Sequence, residues 1–338
     1  MTSRLEPQES SYSATIQRIL IPHPCPFSLV RIGGQRDGAY LLPDDLKGIS
    51  ACFSPGVNNY KYFEDVLSKK YAIKAHMCDY SSDLSAFKTP LIPRMQSFEK
   101  KWLSPVADSI SITLEEWVSR YSPNPSEDLI LQMDIEGAEY PILLETDDSI
   151  LNRFRIIVLE LHGLEAFANE SQLKQQIGPA LSRLNRSHVC VHAHPNNCSG
   201  EFHDNSTGLN IPHVLEITLI RRDRLVSGRP LILPSLPHRL DIPFNVVHNL
   251  PLHLNHAWLN GHQRSYESQI KIYSDNISQA SAINSVLLMK ALRFSRDTSV
   301  APLHTAIVLA KLVILPYLVF SSSLLIIVAK GIRRLFGF

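Results

Sequence analysis

The run Leu129-Ile130-Leu131-Gln132-Met133 climbs into Asp134-Ile135-Glu136-Gly137-Ala138-Glu139-Tyr140, and no other stretch constrains the fold as tightly. The apolar part is too short for an ordinary helix, ends in a carboxylate pair and turns at a glycine. That pattern predicts a buried parallel strand that delivers Asp134 and Glu136 to its carboxyl end. In open α/β sheets, ligands bind at that end. Taken alone, D-x-E-G also reads as an acidic turn capping the next helix, so the neighbouring segments must decide.

Those neighbours alternate strand and helix. Ile49 to Phe53 is a short apolar strand closing at Pro55-Gly56, and Tyr60 to Lys70 has helical spacing, with Asn58-Asn59 placed to cap it. Tyr71 to Asp79 is a second strand. Its terminal acid follows Gly56 at about the 20-residue separation at which nucleotide-binding sheets hold a ribose, although a packing glycine and a strand-end aspartate would look the same. Ser81 to Ser104 is irregular and polar and predicts a partly helical excursion. Asp108 to Thr113 alternates like a strand, and Thr113-Leu114-Glu115-Glu116 is a capping box. Phe154 to His162 and Ser187 to Asn197 read as further strands, separated by a helix from Ser171 to Arg186, and His213 to Arg221 reads as the last strand. The expectation is an α/β chain with a mostly parallel sheet covered on both faces.

Around this unit, residues 1–30 form a lead-in, and Arg31 to Pro43 predicts a hairpin or a loop docked at the sheet edge. As a phosphate loop, Gly33-Gly34 is a poor fit, with no strong strand before it and no helix after it. The α/β unit spans 31–222. Residues 223–300 open with a Pro-, Leu- and His-rich stretch without period, a wrapping tail rather than a second domain. A net charge of +1 without a basic stripe gives no electrostatic case for nucleic acid. Five cysteines without paired spacing suit a reducing compartment. The N-terminus lacks the apolar core of a signal peptide, so triplets such as Asn205-Ser206-Thr207 read as chance glycosylation matches.

Asp134-Ile135-Glu136-Gly137-Ala138-Glu139, with the Thr113-to-Glu116 helix start, Phe53-Ser54-Pro55-Gly56-Val57, Phe63-Glu64, Glu160-Leu161-His162 and His192-Ala193-His194-Pro195-Asn196-Asn197, resembles the FkbM-type family of S-adenosylmethionine-dependent methyltransferases. The resemblance runs from about Arg31 to Pro243. It implies a class I methyltransferase (Rossmann-like) fold, a seven-stranded mostly parallel sheet whose last strand is antiparallel, with the methyl donor over the ends of the first and fourth strands. It also implies that Gly56 borders the donor's methionine end, that Asp79 holds its ribose, and that Asp134 and Glu136 sit beside donor and acceptor. The first turn departs from the family, reading Ser-Pro-Gly-Val-Asn-Asn where many methyltransferases carry a fuller G-x-G.

Methyl transfer from a sulfonium requires an aligned acceptor that has lost its proton. His162, two residues past Glu160, is the first candidate base, with Asp134 and His194 beside it; the structural alternative for His162 is a histidine bonded to a neighbouring carboxylate. Asp134, Glu136, Glu160, His194 and Asn196 could bind a divalent metal through mixed ligands, but no compact spacing demands one and none is assigned.

Residues 301–338 turn strongly apolar between Ala306 and Ala329, long enough to cross a bilayer, with Pro316 inside and Lys330, Arg333 and Arg334 behind. A buried core helix is the alternative. The combined expectation is a membrane-associated, cytoplasm-facing S-adenosylmethionine-dependent O-methyltransferase acting on a hydroxyl of a small molecule or glycan. A nucleotide-sugar or dinucleotide enzyme is disfavoured by the missing G-x-G-x-x-G after Phe53. A degenerate methyltransferase-like domain serving as a membrane-tethered binding module is the alternative from another class. The sequence leaves the oligomeric state open.

Overall fold

The structure is a computed structural model that describes residues 11–35, 37–204, 208–226 and 228–259. The anchor expected at 306–329, with its basic tail, lies outside the described residues, as does Asn205-Ser206-Thr207. Among the described residues, no helix is long and apolar enough to cross a membrane. Apart from Val247–Leu250, the described residues form one compact unit.

In chain order the strands are β1 (Leu29–Ile32), β2 (Tyr40–Pro43), β3 (Ile49–Pro55), β4 (Lys74–Cys78), β5 (Gln96–Glu99), β6 (Trp102–Leu103), β7 (Ser111–Ile112), β8 (Asp128–Met133), β9 (Phe154–Leu161), β10 (His188–Asp204) and β11 (Leu209–Arg221). The helices are α1 (Tyr12–Leu20), α2 (Tyr62–Tyr71), α3 (Leu114–Tyr121), α4 (Glu139–Glu145), α5 (Asp148–Leu151), α6 (Glu170–Leu173) and α7 (Ile177–Ser187). Seven strands make one sheet in the order β10-β11-β9-β8-β3-β4-β5. β5, β4, β3, β8 and β9 pair in parallel, whereas β11 is antiparallel to both β9 and β10. The last strand therefore reverses, as the resemblance implies.

The period of two along the central strands sorts their side chains between two cores. Phe53, Leu131, Ile157 and Leu159 face one side, with Trp117, Leu181 and Trp258. Cys52, Ile130, Ile156 and Val158 face the other, under α2 and the β1–β2 hairpin. All eight residues of β9 are buried, and its centre, Ile156 to Leu159, is an unbroken apolar run. The capping box forms as read: the Glu116 amide donates to Thr113 Oγ1 at 3.2 Å and starts α3.

Four expectations need correction. The excursion from Ser81 to Ser104 holds only a three-residue helical turn (Leu84–Ala86), and it contributes β5, the third strand of the sheet. Its polar sequence hides this because β5 is an edge strand, half-buried along its length. The strand expected from Asp108 to Thr113 shrinks to β7, which pairs with β6 outside the main sheet. The β1–β2 hairpin is a cover over a sheet face, not an edge piece: Leu42 and Ile32 pack in the second core, and Thr218 Oγ1 donates to the Leu41 carbonyl at 2.7 Å. Asn58 and Asn59 do not cap α2, whose first flanking residue is Lys61; both take left-handed backbone, φ +41° and +60°, to turn the chain.

The amino end of the sheet is closed by charge pairs. Arg155 Nε donates to Asp128 at 2.9 Å, Arg221 Nη1 donates to the other Asp128 oxygen at 2.7 Å, and Arg224 grips Asp45 at 2.7 and 3.0 Å. The carboxyl end, where ligands sit in such sheets, stays open.

Candidate functional site

At the carboxyl ends of β3, β4, β8 and β9 the chain leaves a cleft of about 1290 Å³, lined among others by Gly56, Asp79, Asp134, Glu136, Glu160 and His162. Single-ligand pockets usually hold about 300–1,000 Å³, so this cleft has room for more than one small molecule.

Gly56 takes φ +81°, and a Cβ on it would lie 1.7 Å from the Asp134 carbonyl oxygen. The missing side chain lets the β3 turn press against the end of β8. Close approach of the backbone to a ligand is therefore not the primary demand at this glycine. The Gly56 amide donates to the Cys78 carbonyl at 3.0 Å, which ties β3's turn to β4.

Asp79 is buried at the end of β4. Its Oδ1 accepts the Ser81 amide at 2.8 Å and the Ser81 hydroxyl at 2.6 Å; its Oδ2 accepts the Asn58 amide at 2.9 Å and the Ser82 hydroxyl at 2.7 Å. Burial would raise its pKa, but these hydrogen bonds outweigh burial and hold the carboxyl below the usual range. Asp79 thus organises the loops after β3 and β4, and all four of its usual acceptor positions are filled.

The D-x-E-G-x-E turn is built around its third acid. Glu139, fully buried, accepts the Ile135 amide at 3.0 Å, the Gly137 amide at 3.3 Å and the His162 ring Nδ1 at 3.2 Å, all on Oε1. Tyr140, the next residue of α4, donates its hydroxyl to the His162 carbonyl at 2.5 Å. One helical turn therefore fixes both the β8 turn and the residue after β9. Glu136 takes left-handed backbone, φ +58°, an unusual position for a non-glycine residue, and points an 89 % exposed side chain into the cleft mouth.

The result is a dense acidic group. His162 Nε2 lies 3.5 Å from Glu136 and 3.7 Å from Glu160. Burial pushes Asp134 up to about 7, with Asp37, Glu136 and Glu139 adding and His162 opposing. Burial also drives Glu160 well above the carboxylate range, reinforced by Asp134, Glu216 and Asp37. For His162 burial lowers the pKa, but Glu139, Asp134 and Glu136 outweigh it and leave the imidazole raised. Such shifted neighbours are what an acid–base site requires.

His194 is placed elsewhere. With His192 it turns to Asp241 of the Pro-rich tail, at 3.8 Å from His194 and 2.9 Å from His192, and neither ring lines the cleft. Of the residues picked from the sequence, Gly56, Asp79, Asp134, Glu136 and His162 converge; His194 does not join them.

Three residues of the site stand outside those picked from the sequence: Glu139, buried behind the cleft wall, and Asp37 and Trp102 in it. Glu139 reads as the last letter of a motif rather than the peg that sets it. Asp37 reaches the cleft because the hairpin lies over the sheet, and it accepts from Asn245 Nδ2 at 2.9 Å. Trp102 is exposed at the cleft wall beside Tyr80, with ring centroids 5.6 Å apart. For Asp37 the bracketing glycines were the available clue; for Trp102 there was none.

Comparison with known proteins bears on this site. The family model described as "Methyltransferase FkbM domain" matches residues 88–187, a stretch that contains β5, α3, β8, the D-x-E-G-x-E turn, β9 and His162. Over those residues the chain is similar to that family. Among solved structures, a tryptophan-to-alanine mutant of the 16S rRNA (adenine(1408)-N(1))-methyltransferase from Catenulisporales acidiphilia is similar at 8 % identity, covering 60 % of this chain and 100 % of that one, with a TM-score of 0.25. That superposition is too loose to bear on fold or function. No curated protein matches the chain.

Proposed function

We propose that the chain is an S-adenosylmethionine-dependent methyltransferase of class I type that methylates a hydroxyl group on a small molecule or glycan. The observation that carries this reading is the convergence of four consecutive sheet ends on one large cleft, with Gly56, Asp79, Asp134, Glu136 and His162 all in its wall. The strand order, with β11 reversed between β9 and β10, is the order that such a fold requires.

The wall fits the donor chemically. Asp79 ends β4 where a ribose would lie, and the exposed Ser81 hydroxyl is the partner that a ribose hydroxyl would displace from it. The Trp102 ring offers an apolar face to a purine. When bound, the donor supplies an electrophilic methyl group on a sulfonium. The protein's part is to align an acceptor hydroxyl with that methyl and remove its proton. His162 and Asp134 are the groups assigned to the proton: Glu139 sets the imidazole plane, and the Nε2 edge faces the cleft beside Glu136 and Glu160. His194, locked to Asp241, is left out of this assignment.

Calorimetric titration with S-adenosylmethionine tests the reading. Asp79→Ala should abolish donor binding, because it releases the amides and hydroxyls that shape the donor loop. Asp134→Ala and His162→Ala should retain much of the binding and lose turnover with a verified sugar-containing acceptor. A chain that binds no donor would leave only a binding module. We further propose, on sequence alone, that residues 306–329 attach the chain to a membrane with the catalytic unit in the cytoplasm. Deleting everything after Pro302 should then move the protein to the soluble fraction.

A further inference from the structure

We propose that the Nε2 edge of His162, together with the carboxylates of Asp134 and Glu160, forms a binding site for one divalent cation of the Mn2+ or Mg2+ kind. The cation's use rests on the methyl-transfer reading; its binding does not.

The first support is geometric. One ligand atom from each of Asp134, Glu160 and His162 lies within 4.8 Å of the others, a separation that suits ligands around one ion with bonds of about 2.0–2.6 Å. The second is the histidine's orientation. His162 Nδ1 is held 3.2 Å from the buried Glu139 carboxylate, so Nε2 is the ring nitrogen turned to the cleft. Nε2 faces Glu136 and Glu160 oxygens at 3.5 and 3.7 Å, and among the described residues it makes no hydrogen bond. A ring nitrogen opposed to carboxylates requires positive charge there, carried either by its own proton or by a cation. A buried carboxylate fixing the far nitrogen of a histidine is the usual support of a metal-ligating imidazole.

The third support is independent of the cluster's composition. The Glu160 side chain is only 7 % exposed; Oε1 accepts from Asn196 Nδ2 at 3.0 Å, and Oε2 is buried with no hydrogen-bond partner among the described residues. Apart from His162 at 3.7 Å, its close charges, Asp134, Asp37 and Glu216, are acidic. An orphan buried carboxylate oxygen among like charges must be compensated by a proton or a cation. Two carboxylates and one imidazole, with no thiolate, favour Mn2+ or Mg2+ over soft ions, and the open cleft leaves positions for water or an acceptor hydroxyl. A hydroxyl in such a position ionises more readily, so the cation would supply the activation that otherwise falls to His162 as a base.

The experiment is a Mn2+ titration of the full chain, without methyl donor, followed by the loss of the free-ion electron paramagnetic resonance signal. One Mn2+ per chain is expected. Glu160→Gln and Asp134→Asn, which preserve shape, should each weaken binding at least tenfold, and Glu139→Gln, acting through the ring, by about 10–100-fold. Melting curves without Mn2+ report whether each variant folds; should Glu160→Gln fail to fold, His162→Gln takes its place. No binding at millimolar Mn2+, or binding that these variants leave unchanged, overturns the proposal and assigns the compensating charge to a proton. A parallel S-adenosylmethionine titration keeps the two readings apart. Mn2+ bound without donor removes the transferase reading alone, and donor bound without Mn2+ removes the cation site alone.

Discussion

Glu136 holds left-handed backbone between Ile135 and a glycine at φ +100°, although it is neither glycine nor asparagine. Such a residue costs about 1–3 kcal/mol and persists where surrounding bonds over-determine the turn. Glu139 does that here by taking two backbone amides of the same turn. Glu136→Gly should therefore melt later than the parent, by a gain of about 1 kcal/mol, while methyl transfer falls because a carboxylate facing His162 is gone. Equal or lower stability in a melting experiment would show that the left-handed turn stores no strain. The sequence displayed all three acids of this turn. Their division of labour, two facing the cleft and one buried as a peg, depends on the β9 end lying alongside, which no local pattern encodes.

At the scale of elements, the cleft's position depends on helices packed below it. α3 inserts Trp117, fully buried, edge-on to Phe53 of β3 at 5.1 Å between ring centroids. Trp117→Ala should cost about 3–5 kcal/mol in chemical denaturation, and the folded fraction should keep its donor affinity, since Trp117 does not line the cleft. The tail is fastened differently. Asp241, whose side chain is 5 % exposed, takes His192 at 2.9 Å and the His238 amide at 2.7 Å, with His194 at 3.8 Å, and the two imidazoles hold its carboxyl below the ordinary range against the raising effect of burial. Breaking one side of a buried charge pair typically costs about 3–5 kcal/mol. Asp241→Asn should speed amide hydrogen exchange from His238 to Val246 well before it affects the central strands. Uniform exchange across the sheet would show that the tail and the sheet open together. From sequence, His192 and His194 shared a strand face, which the structure bears out. Their partner lies 49 residues away in the chain from His192, in a segment with no periodicity to announce it.

For the whole molecule, the two ends of the sheet carry opposite electrostatic roles. At the closed end Asp128, Arg155, Arg221 and Asp45 are paired with opposite charges; at the open end, acids face acids. Glu64, buried in the cleft lining and in contact with Ser54, is pushed by burial from 4.5 up to about 7, partly offset by the Ser54 hydrogen bond. Between those two values the folded chain binds more protons at Glu64 than the unfolded chain. Its contribution to stability is therefore full below about pH 4.5 and lost as pH rises through about 7, a change of about 3 kcal/mol. Glu64→Gln removes that dependence, so its stability relative to the parent should increase by about 3 kcal/mol between pH 4 and pH 8 in urea titrations. A difference that stays flat with pH would mean that Glu64 ionises in the folded chain as it does in the unfolded one.

The sequence by itself determined the alternation of buried strands and helices, the placement of Asp79, Asp134, Glu136 and His162 at strand ends, and the reversed last strand through its family resemblance. These were legible because burial on both faces forces continuous apolar runs, and because a chain leaving a strand must turn at residues such as Gly56 and Gly137. Tertiary structure alone decided that the polar stretch around Phe98 is an edge strand, that Asp37 reaches the cleft across a hairpin, that His194 belongs to the tail, and that Glu139 holds His162 in place. Each of those outcomes is a contact between residues distant in the chain, and its energy depends on which surfaces are already covered; neither composition nor spacing records that.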